Sequence, residues 1–376
     1  MRTILHILRK EFLQIKRDKK VIQIIFVGPI MQLFIFGFAI NMDVTTVPML
    51  VCDQDNTTES RDLVQRFEHS GYFPIVGRVE RTSEIDKYLE NGKASIAITI
   101  PREFGRKIAR GEPVPLQAIV DGAESNSASV GLNYAGMIVA GYAQNALLEA
   151  FARRGLGSLK PITISPEVRV WYNPELKSRN YLVPGILGML LMTATVMLTS
   201  LAIVKEKESG TMEQLIVTPI KPWQIIIGKL TPFMIIGIID IILALAGVTL
   251  VLGIPIRGSV FTLFCLSILF IMTTLGIGLF VSTVSRTQQQ AMMTAMFFVM
   301  MPMNFLSGFV FPIENMPQLI QGVSLFLPLR YFFEIIRGIF LRGVGMEVLW
   351  PQALSLLTFA VVILGLSALR FRKKLA

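Results

Sequence analysis

Charged residues are scarce in this chain. They make up 16% of its 376 residues, against about 25% in an average soluble domain. Hydrophobic residues make up 52%. A surface so poor in charge cannot face water throughout, which argues against an ordinary soluble enzyme of this length and against a disordered chain. Cysteine and histidine are almost missing: Cys52 and Cys265 stand far apart, as do His6 and His69. That stock all but excludes a zinc site of His and Cys and contains no redox motif. A phosphate loop is missing too, because Gly92-Lys93-Ala94 lacks both the upstream glycine and the hydroxyl residue such a loop needs.

What charge there is lies unevenly. The net charge is +10, which in a soluble protein would suggest nucleic acid. Residues 42–177, however, hold 15 Lys and Arg against 17 Asp and Glu, so the excess of cations belongs to the apolar remainder. Cations beside apolar runs set membrane topology and do not make a nucleic-acid surface.

Six runs approach the roughly 20 apolar residues a membrane helix needs: Val21–Asn41, Tyr181–Val204, Ile225–Leu252, Val260–Val284, Ala291–Phe311 and Val348–Leu369. Seven Lys and Arg precede the first, and Lys205, Lys207, Lys221, Lys229, Arg286 and the cations from Arg370 onward flank the others. All fall on one side if both termini are cytoplasmic, as the positive-inside rule requires. Ahead of the first run, Leu5, Leu8, Phe12 and Ile15 recur at helical spacing among Arg2, Arg9, Lys16 and Arg17. That pattern predicts a helix lying in the cytoplasmic interface, its cations near anionic membrane lipid.

Residues 42–177 read as a soluble domain on the opposite side. Val47–Cys52, Phe73–Val79, Ser95–Ile100 and Leu116–Val120 read as strands, with Thr57–His69, Ser83–Glu90 and Arg102–Arg110 as helices between them. That alternation predicts an α/β domain with a mixed or parallel sheet. One long helix over residues 124–154 and a returning strand at Val168–Tyr172 follow. Asp53, Asp55 and Asp121 end strands, where α/β folds place their sites. With no His or phosphate loop beside them, and no metal or redox motif around Cys52, they read as turn and cap formers. The fold class is therefore an α-helical membrane protein, with six transmembrane helices, an N-terminal interfacial helix, and an α/β extracytoplasmic domain between the first two spans.

The segment after the second span is the most informative. Lys205-Glu206-Lys207-Glu208 ends the apolar run, Gly210 permits a sharp turn, and Thr211 and Gln214 stand at capping-box spacing before Pro219 and Pro222. Glu206-Lys207-Glu208-Ser209-Gly210-Thr211-Met212-Glu213-Gln214-Leu215-Ile216-Val217-Thr218-Pro219 resembles the signature of the permease subunits of ABC-2-type ABC transporters. Phe305-Leu306-Ser307-Gly308-Phe309-Val310-Phe311-Pro312 and Leu327-Pro328-Leu329-Arg330-Tyr331 agree with it, and the resemblance covers essentially the whole chain. The large insert looks like the branch that exports drugs and small molecules, with lipids and sodium ions as alternative substrates.

This resemblance implies a coupling helix at about 206–218, with Glu206, Glu208, Gly210, Thr211 and Glu213 serving to couple the chain to a separate cytosolic ABC ATPase. It implies no cofactor in this chain, with ATP and Mg held by that partner. It further implies a second permease copy or paralogue, re-entrant helices at about 313–343, and a bacterial cytoplasmic membrane around the protein. A periplasmic adaptor protein is a candidate partner of the insert.

Other residues stand out singly. Asp240 falls at the middle of a span, where a charge costs about 2.5–3.5 kcal/mol and faces the bundle interior. It either lines a substrate path or binds a cation, or else it is protonated or bonds a neighbouring helix's Ser or Thr. Asn304 and Ser307 are candidates for the same path. Arg330, Glu334 and Arg337 stand four and three apart, a spacing that favours pairing on one helix. An ion-driven secondary transporter would carry several such intramembrane charges or an inverted repeat. A scaffold would tolerate changes at Glu206–Thr218.

Overall fold

A computed structural model describes residues 2–17, 19–39, 44–153, 171–173, 177–211 and 221–370. The chain divides into two units, Asp43–Arg169 on one hand and Met1–Met42 with Val170–Ala376 on the other.

The smaller unit is built on a four-stranded mixed sheet. Strands β1 (Met49–Asp53), β2 (Ile75–Val79), β3 (Ile96–Ile100) and β4 (Gln117–Val120) lie in the order β2-β1-β3-β4. β1 is parallel to both β2 and β3, with Met49 opposite Ile96, while β4 runs antiparallel to β3. Both central strands are apolar on both faces, as strands covered on two sides must be. Met49, Val51, Ile96 and Ile98 join one core with α3 (Thr58–His69), α5 (Phe104–Arg110) and α6 (Ser125–Arg153). Leu50, Cys52 and Ala97 join the other with Ile85 of α4 (Ile85–Glu90). Of the returning strand expected at Val168–Tyr172, residues 168–170 lie outside the described residues, and Trp171 and Tyr172 are not in a strand.

The strand-end aspartates hold turns together. Asp53 Oδ1 accepts from the backbone N–H groups of Asp55 and Asn56, and its Oδ2 accepts from the Ser60 hydroxyl at 2.7 Å. Asp55 accepts from the Gly105 N–H at 2.8 Å, tying the first turn to α5. Asp121 accepts from the Ala123 N–H.

The larger unit is helical: α1 (Arg2–Arg17), α2 (Lys19–Ala39), α7 (Ser178–Glu208), α8 (Pro222–Ala246), α9 (Val260–Val284), α10 (Gln288–Thr294), α11 (Met301–Leu306), α12 (Gln318–Ser324), α13 (Pro328–Arg337) and α14 (Met346–Arg370). Among the described residues four helices are long and apolar enough to cross a membrane: α7, α8 with its extension to Val251, α9 and α14. The bent pair α12 and α13, the latter extended to Arg342, turns through 83° and makes a fifth if counted as one span. The run expected at Ala291–Phe311 is built differently. Its helix starts at Gln288, passes through a π-helical stretch at Ala295–Met300, and stops at Leu306. Two more π stretches extend α8 and α13, at Gly247–Val251 and Gly338–Arg342.

Helices α7 and α9 form the centre of this unit. A Cβ on Gly278 would lie 2.8 Å from the Val196 carbonyl, so the two backbones meet closely there. Small residues permit such approaches where burial of apolar surface alone cannot drive helices together. Nearby, Thr195 donates to the Leu191 carbonyl and also pairs with the Thr274 hydroxyl at 2.7 Å. The rings of Phe270 and Phe332 stack with centroids 4.0 Å apart, joining α13 to α9.

Candidate functional site

At the end of α7 the sequence turns abruptly from apolar residues to Lys205-Glu206-Lys207-Glu208. Each of the last three side chains is committed. Lys207 donates to the Ser282 carbonyl of α9. Glu208 accepts from the Gln288 side-chain amide at 2.7 Å and faces the Gln288 N–H at the start of α10. Glu206 is 4% exposed and pairs with both Lys10 of α1 and Lys229 of α8.

The Glu206 pairings close a four-charge cluster. Glu11, 5% exposed, lies 3.2 Å from Lys10 and 3.6 Å from Lys229. Lys229 itself is 3% exposed. Two carboxylates and two ammonium groups make the cluster neutral: Glu11, Glu206 and Lys229 are buried, the half-exposed Lys10 supplies the fourth charge from the rim, and that balance is what makes the burial tolerable. Burial pulls the Lys10 pKa down, but the Glu206 and Glu11 carboxylates outweigh it and hold the ammonium above its usual value. Three elements distant in sequence thus meet at one point, with Ile7 of α1 seated against Gly228 of α8.

The buried face of α1 is therefore Ile7 and Glu11, one turn apart. Of the apolar stripe of α1, Leu5 and Phe12 are exposed on this chain, and Ile15 packs against the core.

Beyond Glu208 the chain turns. Gly210 has φ +72°, the left-handed region glycine enters without cost. The N–H groups of Ser209 and Gly210 close back on the Lys205 and Lys207 carbonyls, and the Thr211 hydroxyl donates to the Glu206 carbonyl at 3.2 Å. Thr211 so caps the end of α7. Glu213 and Gln214, and with them most of the coupling segment, lie outside the described residues.

The remaining predicted residues fall elsewhere. Asp240 is 5% exposed in α8, and its Oδ2 has no hydrogen-bond partner, so the expected hydroxyl partner is not found among the described residues. Arg330 approaches Glu334 at 3.7 Å and donates to Ser324 at 2.6 Å. Glu334 does not pair with Arg337, contrary to what the i, i+3 spacing suggested; it accepts from Gln352 of α14 at 2.9 Å instead. Arg337 lies over the Tyr181 ring, 3.9 Å from its centroid, and donates to the Gly308 carbonyl. Aromatic stacking of this kind suits a guanidinium better than an ammonium. Ser307 is buried beside Gly308, and its hydroxyl, like Asn304 Oδ1, has no partner among the described residues.

Neither Lys10 nor Glu11 is singled out by the sequence patterns, and Lys229 reads there only as a membrane anchor. Two signals do point to the cluster. Lys229 interrupts an apolar run, and Glu11 is the one acid among the cations of the first 17 residues.

Comparison with known proteins agrees with this architecture. A profile described as ABC-2 family transporter protein matches residues 19–369. The chain is 33% identical over 368 residues to the Probable multidrug ABC transporter permease YbhR of Escherichia coli K12, covering 98% of each chain. It is 32% identical to the Probable multidrug ABC transporter permease YbhS of the same strain, over 97% of this chain and 96% of that one. It is 30% identical to that strain's Inner membrane transport permease YhhJ, over 91% and 92%. A match that runs nearly end to end, on a helical unit with several spans, places this chain in the ABC-2 family of transporter proteins.

Proposed function

We propose that this chain is the membrane-spanning permease subunit of an ATP-driven exporter that moves amphiphilic small molecules out across the cytoplasmic membrane. The relatives' names support the substrate class, and the missing phosphate loop supports a separate ATPase that carries ATP and Mg. Two permeases, identical or paralogous, form the pathway. Six helices cross the membrane with both termini cytoplasmic, residues 42–177 stand outside it, and residues 313–343 re-enter from that outer side. A periplasmic adaptor protein docks on the outer domain.

The observation that carries this reading is the charge cluster of Lys10, Glu11, Glu206 and Lys229. It fastens the N-terminal helix and the start of α8 to the last turn of α7, at the first residue of the segment that resembles a coupling helix. A push delivered to residues 206–218 would reach three helices as one rigid body. Alternating access in this reading consists of that movement, and Asp240, Asn304 and Ser307 are the polar groups that meet the substrate.

Mild-detergent purification from native membranes, with mass spectrometry of the co-purifying chains, tests the proposal. It expects a stoichiometric ABC ATPase, and it expects the ATPase to be lost when Glu208 to Glu213 are replaced. Isolation without any ATPase after cross-linking would overturn it in favour of an ion-driven transporter or a scaffold.

A further inference from the structure

An open groove of about 410 Å3 lies on the helical unit, a size within the range of small-molecule sites, about 300–1,000 Å3. Trp223, Ile227 and Leu230 from the first turns of α8 form one wall. Met272 of α9 and Gly365 and Ala368 from the last turns of α14 form the rest. Thr231, which also lines the groove, spends its hydroxyl on the Ile227 carbonyl at 2.7 Å. The surface offered is therefore mainly hydrocarbon, and it is open to one side, not enclosed.

Charge marks one end of this groove. Because α8 begins where α14 finishes, the residues just outside both helical walls come to the same end. Lys221 stands two residues before Trp223 and Arg370 two residues after Ala368, and both are exposed. The sequence continues with Arg372, Lys373 and Lys374. Cations at the membrane surface attract anionic headgroups, and a tryptophan at such a boundary is usual.

We propose that this groove is a binding site for an anionic phospholipid, with an acyl chain along the apolar walls and the phosphate between Lys221 and Arg370. The charge complementarity selects an anionic lipid over a zwitterionic one. The site adjoins the stretch of α8 that carries Lys229, so the bound lipid braces the buried charge cluster where α8 enters the bundle. This inference does not depend on what the protein transports.

The test uses the full-length protein with Trp171→Phe and Trp350→Phe, which leaves Trp223 as the sole tryptophan of three. The protein is placed in phosphatidylcholine vesicles, and Trp223 fluorescence is followed as bromine-labelled phosphatidylglycerol or bromine-labelled phosphatidylcholine is added. The proposal expects half-quenching at a several-fold lower mole fraction of phosphatidylglycerol. Gly365→Leu projects a side chain into the groove from a position where an added Cβ meets no atom within 4 Å; the preference should vanish. Lys221→Gln with Arg370→Gln should remove the preference while both lipids still quench. Equal quenching curves in the parent protein, or a preference untouched by Gly365→Leu, would overturn the proposal. Quenching by neither lipid would show that a second protein copy or residues 212–220 fill the groove, and would overturn it equally.

Discussion

The Lys229 ammonium of α8 and the Glu206 carboxylate of α7 are paired where neither side chain is more than 5% exposed. Lys10, whose side chain is 48% exposed, approaches the same carboxylate from α1. Such a pair costs desolvation and returns geometry, since a buried pair that loses one member leaves an uncompensated charge.

That asymmetry gives the first prediction. Lys229→Met alone leaves the cluster one negative charge in excess and should destabilise the helical unit by about 3–5 kcal/mol. Lys229→Met with Glu206→Gln removes both charges and should cost less than the single change. Thermal unfolding of the detergent-solubilised protein measures both, and a double variant less stable than Lys229→Met would contradict the pairing.

Asp240 should respond differently. Its carboxylate is buried, and one oxygen has no partner among the described residues; a charge at the middle of a span costs about 2.5–3.5 kcal/mol. Asp240→Asn should therefore raise the unfolding temperature while lowering export of the substrates that meet it. Unchanged export of every substrate tried would remove Asp240 from the pathway.

The close approach of α7 and α9 makes Gly278 intolerant. Gly278→Ala puts a methyl group 2.8 Å from the Val196 carbonyl and 2.9 Å from the Thr199 Cβ. Overpacking of this kind costs about 1–3 kcal/mol. The unfolding temperature should fall, whereas Gly365→Ala, facing open space, should leave it unchanged.

In the smaller unit, burial pushes the Tyr142 phenol up to about 12, with Asp62 and Glu59 adding to the effect. The folded state thus holds this proton more tightly than the unfolded chain, whose tyrosines titrate near about 10. The associated stability is complete below pH ~10 and is lost as pH rises through about 12. Tyr142→Phe should flatten the alkaline loss of stability, and it also removes the hydroxyl's 3.1 Å bond to the Glu59 carbonyl.

The strands and helices between Met49 and Arg153 follow their hydrophobic periods to within a few residues, because each strand is short, apolar and bounded by turn residues. The aspartates after β1 and β4 are legible as turn formers for the same reason. Less legible is the run near Met301: three glutamines begin its helix, and a π stretch leaves the apolar pattern almost unchanged while rotating the faces. The charge cluster is hidden more deeply. Lys10 and Glu206 stand 196 residues apart, and nothing local in a basic helix tells which cation will pair with a distant carboxylate. The i, i+3 spacing of Glu334 and Arg337 misleads, because Gln352 and the Tyr181 ring offer better-placed partners.

The central claim is that the Glu206 cluster carries motion between a partner ATPase and the membrane helices. The most direct measurement is drug-stimulated ATP hydrolysis by the reconstituted complex, compared between the parent protein and Glu206→Gln with Lys229→Met, a pair chosen to keep the fold neutral. The account predicts that basal hydrolysis persists while stimulation by drug is lost. Stimulation equal to that of the parent would contradict it.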